Sequence, residues 1–341
     1  MDATARREYL RAAAQEVGFD VFGIAPIDVD VRADYFRRWI AEGMHGDMTW
    51  MEKNPQRRTE AKQVLPEARS MVVVGLNYYQ PHPPAAYRIA KYALGEDYHG
   101  VLLKRLKKLC TVMRSLGGEQ KPYVDTGPVL EKPVAAEAGL GWQGKSTILL
   151  QKGFGTWLFL GVIITTLELT PSSKQPNRCG SCTRCIEACP TSAIIAPYQL
   201  DARKCLAYLT IEHQGAIPLA YRFALGDRVY GCDDCLDVCP WNRWAQNTKE
   251  ARFAPRPHPV LRDTLAWTEE EFVEHFRGSP IKRLGLHRWW RNALTVLGNT
   301  GSRDDLPAVL KLINHDDAMV ADHACWAEEQ IRQRLRKQEI A

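Results

Sequence analysis

Residues 178–194 read RCGSCTRCIEACPTSAI, and their cysteine spacing decides how the rest of the chain is read. Cys179-x2-Cys182-x2-Cys185-x3-Cys189-Pro190 is a run that ligates paired [4Fe–4S] clusters, the fourth cysteine crossing to the other cluster. A second run follows in YGCDDCLDVCPWNRW (230–244), where Cys232-x2-Cys235-x3-Cys239-Pro240 repeats the rhythm with Val229 in the place of the first cysteine. Cys205, in LDARKCLAYLT, stands between the two runs. The crossing rule then gives one cluster on Cys179, Cys182, Cys185 and Cys239. The second takes Cys189, Cys232 and Cys235, with Cys205 filling the vacancy. Paired zinc sites are the alternative. The Cys-Pro after each run and the x2-x2-x3 rhythm argue against separated zinc knuckles.

The remaining cysteines, Cys110 and Cys325, read as small core residues. Ten cysteines in a chain without a secretion signal are not a disulfide framework. No apolar run reaches the roughly 18 residues needed to cross a bilayer, so the expected location is cytoplasmic, with no membrane partner. The net charge of +5 over 341 residues is too mild to argue for a nucleic-acid partner by itself.

Three regions differ in pattern. Residues 1–168 alternate helical and strand signals: RREYLRAAAQEVGF is amphipathic, SMVVVGLNYY (70–79) is a strand, and HGVLLKRLKKLCTVMRSLGG is a helix closed by glycines. KSTILL and TWLFLGVIITTLEL supply further strands of an α/β domain. Residues 169–250 are cysteine-rich and irregular. From 251 to 341 the chain is helical, and 291–331 resembles stacked HEAT-type helix pairs.

The first region carries neither a dinucleotide fingerprint nor a P-loop. It does place Asp125 in YVDTGP, at the mouth of a short extended run. There it reads either as a proton donor with a burial-raised pKa or as the N-cap of the helix that follows.

Four blocks, YVDTGPVLEKPVAAEAGLGWQGKSTILL, CGSCTRCIEACPTSAI, DARKCLAYLTIE and YGCDDCLDVCPWNRW, in this order and spacing, resemble the bacterial tRNA epoxyqueuosine reductases. These are relatives of the reductive dehalogenases, and the likeness covers nearly the whole chain. It implies an α+β multidomain protein: a nitroreductase-like α/β domain binding base-off cobalamin, a bacterial-ferredoxin-type domain with two [4Fe–4S] clusters, and a helical HEAT-like segment that contacts tRNA. It also implies reduction of epoxyqueuosine to queuosine at the anticodon wobble position, by cob(I)alamin fed from the clusters. A low-potential donor would supply the electrons, the enzyme would act as a monomer, and Asp125 would protonate the opening epoxide. The family's cobalamin-contact positions fall on Arg58, Ala90, Asp125, Leu149, Leu150, Gln151, Leu160, Ala207, Asp233 and Asp234.

DYHG (97–100) begins like a loop that supplies histidine to cobalt, but its glycine comes too early. His99 is therefore expected to open a helix, with Asp97 near the N-cap. On the nucleic-acid side, residues 275–303 contain no Asp or Glu. Lys282, Arg283, Arg288 and Arg291 are expected at RNA phosphates, and Trp289 and Trp290 in the helical core. A reductive dehalogenase and a non-catalytic iron–sulfur or RNA-binding module are the competing readings.

Overall fold

The computed structural model describes residues 1–29 and 31–340. Its centre is the segment SMVVVGLN, strand β2 (Ser70–Asn77), in which every residue is buried. β1 (Val21–Pro26), β3 (Gln120–Tyr123) and β4 (Leu158–Thr165) complete an antiparallel sheet in the order β1-β2-β4-β3. Alternate residues of β2 enter two different cores: Val72, Val74 and Leu76 on one face, Met71 and Val73 on the other. A strand covered on both faces needs an unbroken apolar run rather than alternation.

Helices α1 (Ala3–Val17) and α2 (Tyr98–Arg114) supply Leu10, Leu102, Leu106 and Leu109 to one face. The short α3 (Glu131–Glu137) supplies Val134 and Ala135 to the other. Gly23 allows that approach, since a Cβ there would collide with the Ala138 carbonyl. α1 starts on the Asp2 side chain, which accepts from Ala5 N at 2.8 Å, and stops at the left-handed Gly18.

KSTILL is not the full strand expected. Only Leu149–Leu150 is extended, paired with Trp142–Gln143. Gly144 N donates to Ile148 O at 2.8 Å, so Lys145–Thr147 form the turn of a small hairpin, with Thr147 at φ 67°.

The cysteine-rich segment is tied to the first region by a parallel pairing of Arg88–Ile89 with Arg228–Tyr230. A buried cluster takes side chains from 87–94, 202–230 and 261–331, so one core runs from the cysteine segment into the C-terminal helices. Those helices, α4 (Leu286–Thr300) and α5 (Ala318–Ile340), pack together with a short helix, Leu306–Leu310, between them. Trp289 and Trp290 are buried as expected, their indole N–H groups donating to Thr264 Oγ1 and Thr264 O at 2.9 and 2.7 Å. Cys110 is buried, but Cys325 is exposed. Ala324, Ala327 and Ile331 face the core on α5, and Cys325 falls on the other side.

Among the described residues, no helix is long and apolar enough to cross a membrane.

Candidate active site

Asp125 follows β3 at φ 55°, a left-handed conformation that aspartate tolerates better than most residues. Thr126 N donates to Val124 O at 2.5 Å, closing a tight turn around it. Asp125 is thus not the N-cap of α3; that place belongs to Leu130. Instead the Asp125 N–H donates to Glu131 Oε1 at 2.6 Å, anchoring the loop to the first turn of α3.

Its carboxylate is held from the other side by the start of α2. Tyr98 Oη donates to Asp125 Oδ2 at 2.9 Å, and His99 Nε2 lies 3.2 Å from the same oxygen. His99 Nδ1 lies 2.7 Å from Asp97 Oδ1, while Asp97 caps α2 by accepting from His99 N at 3.0 Å. The expected cap is present, with one addition: the histidine bridges two carboxylates. Tyr98 is fixed by stacking on Phe159 of β4, ring centroids 4.1 Å apart. Asp125 Oδ1 has no hydrogen-bond partner among the described residues.

These contacts set the charges. Burial works to raise the Asp125 pKa, but the hydrogen bonds from His99 and Tyr98 outweigh it and hold the carboxyl at about 2. The expectation of a burial-raised Asp125 is therefore corrected for this state of the site. Burial opposes a charge on His99, yet its bonds to Asp125 and Asp97 raise it to about 9. Glu131 is raised to about 8, by burial first and the Asp125 charge second. At neutral pH the protons of this cluster sit on His99 and Glu131, on either side of an ionised Asp125. From the sequence, His99 is assigned only a place at the start of a helix and Glu131 is not singled out; the hint for Glu131 lay in its six-residue separation from Asp125, just inside the next helix.

Asp125 and Glu131 line a cleft of about 280 Å³ together with Arg58, Tyr35, Trp39, Met51, Gln143 and Thr147. Arg58 donates to Gly127 O at 3.2 Å and to Trp50 O at 3.3 Å, while its Nε is buried without a partner. Of the ten expected cofactor positions, only Arg58 and Asp125 line this cleft. Leu149 and Leu160 belong to the core beneath the sheet. Leu150 lines a cavity beside the cysteines, and Gln151 pairs with Gly155 in an isolated bridge. Ala90, Ala207, Asp233 and Asp234 lie around the second cysteine run. Ala90 N donates to Tyr230 O at 2.8 Å, and Ala207 packs against the core that includes Tyr230. Asp233 accepts from Lys91 N at 2.7 Å and is raised by burial to about 6. Asp234 is engaged with Arg228 and Arg88.

The structure brings the cysteines of the two runs and Cys205 close together. Cys179, Cys182, Cys185 and Cys239 line one cavity of about 200 Å³. The Cys239 thiol is raised to about 11 by burial and then by the charges of the other three. Cys235 is raised by burial and then by the charges of Cys205, Cys232 and Cys189, the three cysteines expected beside it. Cys235 also borders the first cavity, so the two sets are neighbours. No disulfide joins any of them among the described residues. Four thiols around a cavity of that size fit a [4Fe–4S] cluster, and two adjacent sets fit a pair.

Of the four cations expected at RNA, Arg291 is a correction. It is fully buried and donates to the carbonyls of Leu209, His213 and Gly215 at 2.7–2.8 Å. A side chain so enclosed cannot reach a phosphate. Arg288 spends its donors on the carbonyls of Leu284, Ile211 and Arg283. Arg283 pairs with Glu212, yet is half exposed. Lys282 is exposed with no side-chain partner among the described residues. The acid-free window is partly neutralised in space by acids from elsewhere, including Asp317 on His287 and Glu339 on Arg303.

Comparison with known proteins agrees with this arrangement. Residues 58–126 match a family model described as epoxyqueuosine reductase QueG, and residues 178–242 match a 4Fe–4S double cluster binding domain. An epoxyqueuosine reductase of Xanthomonas campestris is 42% identical, covering 96% of this chain and 95% of its own length. That of Escherichia coli is 37% identical over 94% and 88%. A crystal structure of epoxyqueuosine reductase with an epoxyqueuosine-modified tRNA-Tyr stem loop superposes with a TM-score of 0.90 at 30% identity, covering 96% and 90%. A Bacillus subtilis epoxyqueuosine reductase, with its catalytic aspartate loop swung out of the active site, gives 0.88 at 29% identity over 96% and 90%. With curated relatives 37–42% identical over nearly their full length, the chain belongs to the epoxyqueuosine reductase family.

Proposed function

We propose that this oxidoreductase reduces epoxyqueuosine to queuosine at the wobble position of tRNA, with Asp125 as the group that protonates the epoxide oxygen. The observation that carries this reading is Asp125 itself. Its Oδ2 is clamped by Tyr98 and His99, its Oδ1 is left for a substrate, and it stands on the wall of a cleft beside the unpartnered Arg58 Nε. Removing the oxygen of an epoxide takes two electrons and two protons and releases water.

The electrons fit the two cysteine sets, which would hold the [4Fe–4S] clusters. Of the expected cobalamin positions, Arg58 and Asp125 would hold the cofactor on the cleft side of the sheet, where the buried Arg58 Nε needs an acceptor. When bound, these groups supply single-electron transfer at low potential and a strongly reducing cobalt. The chain's own residues handle the protons. Asp125 is ionised at rest, so as negative charge builds on the epoxide oxygen the proton comes from His99 Nε2, 3.2 Å from Oδ2, and reaches that oxygen through the Asp125 carboxyl. Glu131 holds the loop through the Asp125 N–H and keeps a second proton nearby. Of the tRNA contacts, Lys282 and Arg283 remain as candidates. The segment before them is tied to the start of α2, Asp97 N donating to Gly278 O at 2.8 Å, which supports a location near the proton cluster.

The test is Asp125→Asn. Cluster and cobalamin absorbance should stay as in the wild type while turnover falls by about 10²–10⁴. Turnover within a factor of about two of wild type, with both cofactors bound, would remove Asp125 from the proton path.

A further inference from the structure

The cavity shared by Cys179, Cys182, Cys185 and Cys239 is also lined by Lys145, Arg178 and Arg184, and no carboxylate lines it. Lys145 is committed inward, donating to the carbonyls of Gly180 and Cys182 at 2.8 and 2.9 Å. Arg178 and Arg184 are exposed and have no side-chain partner among the described residues. Neither assists the fold in any way the contacts reveal.

The charge bias continues around this mouth. Segment 139–157 carries Lys145 and Lys152 and no acid, and segment 239–249 carries Arg243 and Lys249 and no acid. The one carboxylate in 171–195, Glu187, is bonded to Thr183. Next to the cations lies an aromatic strip. Trp241 lines the cavity, Trp142 meets it edge-on at 4.8 Å, and Trp244 lies 5.0 Å away. Trp244 is 40% exposed, with the Arg243 guanidinium 3.8 Å above its ring. Exposed tryptophan and arginine beside a solvent-open redox centre are the composition of a protein-contact patch.

We infer that this face, centred on Arg178, Arg184, Arg243 and Trp244, docks an acidic, low-potential one-electron carrier protein and delivers its electrons to the cluster held by Cys179, Cys182, Cys185 and Cys239. Each encounter oxidises the carrier by one electron and reduces that cluster by one, and two encounters supply one epoxide. The adjacent set, through Cys235, borders the same cavity and is the next stop inward. Electron-transfer encounters are small and transient, and complementary charge governs their on-rate. RNA is also an anion, but the segment that leads into the expected RNA cations Lys282 and Arg283 is tied to the start of α2 instead, Asp97 N donating to Gly278 O at 2.8 Å. The inference rests on the cluster assignment and not on the identity of the nucleoside reduced.

The experiment uses the cluster-loaded, cobalamin-loaded enzyme and the double variant Arg178→Glu/Arg184→Glu, with Arg178→Lys/Arg184→Lys as the charge-retaining control. The probes are a photochemically reduced acidic flavodoxin and, separately, dithionite as a small reductant. Charge reversal should weaken flavodoxin binding and slow cluster reduction by it at least about tenfold, and flatten the salt dependence. The lysine pair should behave like wild type. Dithionite-driven turnover and stem-loop affinity should stay within about twofold, which separates this inference from the proposed reaction. It is overturned if the flavodoxin neither binds nor reduces the wild type. Equal reduction of wild type and charge-reversed enzyme would also overturn it, as would a loss of stem-loop binding in place of carrier binding.

Discussion

At Asp125 one side chain answers to three neighbours, and the pH behaviour follows from them. A carboxyl held at about 2 contributes stability that is present above its ordinary value and lost as pH falls through about 2. His99 and Glu131 are raised instead, to about 9 and about 8. Their contributions are complete below their ordinary values and disappear as pH rises through 8 and then 9. The same rise strips the site of its stored protons. Turnover should therefore show an alkaline limb between about pH 8 and 9, read from a rate–pH profile under excess reductant. His99→Gln keeps a hydrogen-bond donor for Asp125 but no titrating proton. It should lower turnover about 10- to 100-fold and remove the upper part of that limb. An unchanged profile would show that His99 only positions the carboxylate. Arg291 makes the opposite case at this scale. Because it fills buried carbonyls, Arg291→Ala should cost roughly 3 kcal/mol of stability, measured by denaturant melting. The intact fraction should bind RNA normally.

The elements were readable to different depths. Largely apolar runs announced β2 and β4, because a strand buried on both faces leaves few alternatives for SMVVVGLN and LFLGVIIT. The double-cluster segment was legible because cluster ligation imposes a cysteine spacing that little else shares. The KSTILL hairpin was not, since the left-handed Thr147 that makes its turn carries no local signature. The His99–Asp125 contact joins residues far apart in sequence, and only the packing of α2 beside β3 creates it. The C-terminal basic window misled for a related reason: a run of like charges says nothing about the acids that fold against it. Trp289 was correctly read as core. Trp289→Ala should cost about 3–5 kcal/mol, since its ring is fully enclosed and its indole satisfies Thr264. A melting transition unchanged in that variant would contradict the packing described.

Over the whole molecule, one core links the cysteine segment to the C-terminal helices, while the sheet's two cores carry the Asp125 cleft. On the proposed reading, that division would put electron entry and proton supply on different elements. For RNA, only the cations left free by the fold should count. Lys282→Ala should lower the slope of log affinity against log salt by about one for the anticodon stem loop, as one lost phosphate contact does. Identical slopes would exclude a phosphate contact at Lys282. The most direct test of the central claim is the mass of the product nucleoside. With iron, sulfide, cobalamin and a low-potential reductant supplied anaerobically, epoxyqueuosine-containing tRNA should yield a nucleoside lighter by one oxygen, only when cobalamin is present. An unaltered nucleoside, from enzyme in which both clusters and cobalamin are verifiably bound, would contradict the proposed reaction.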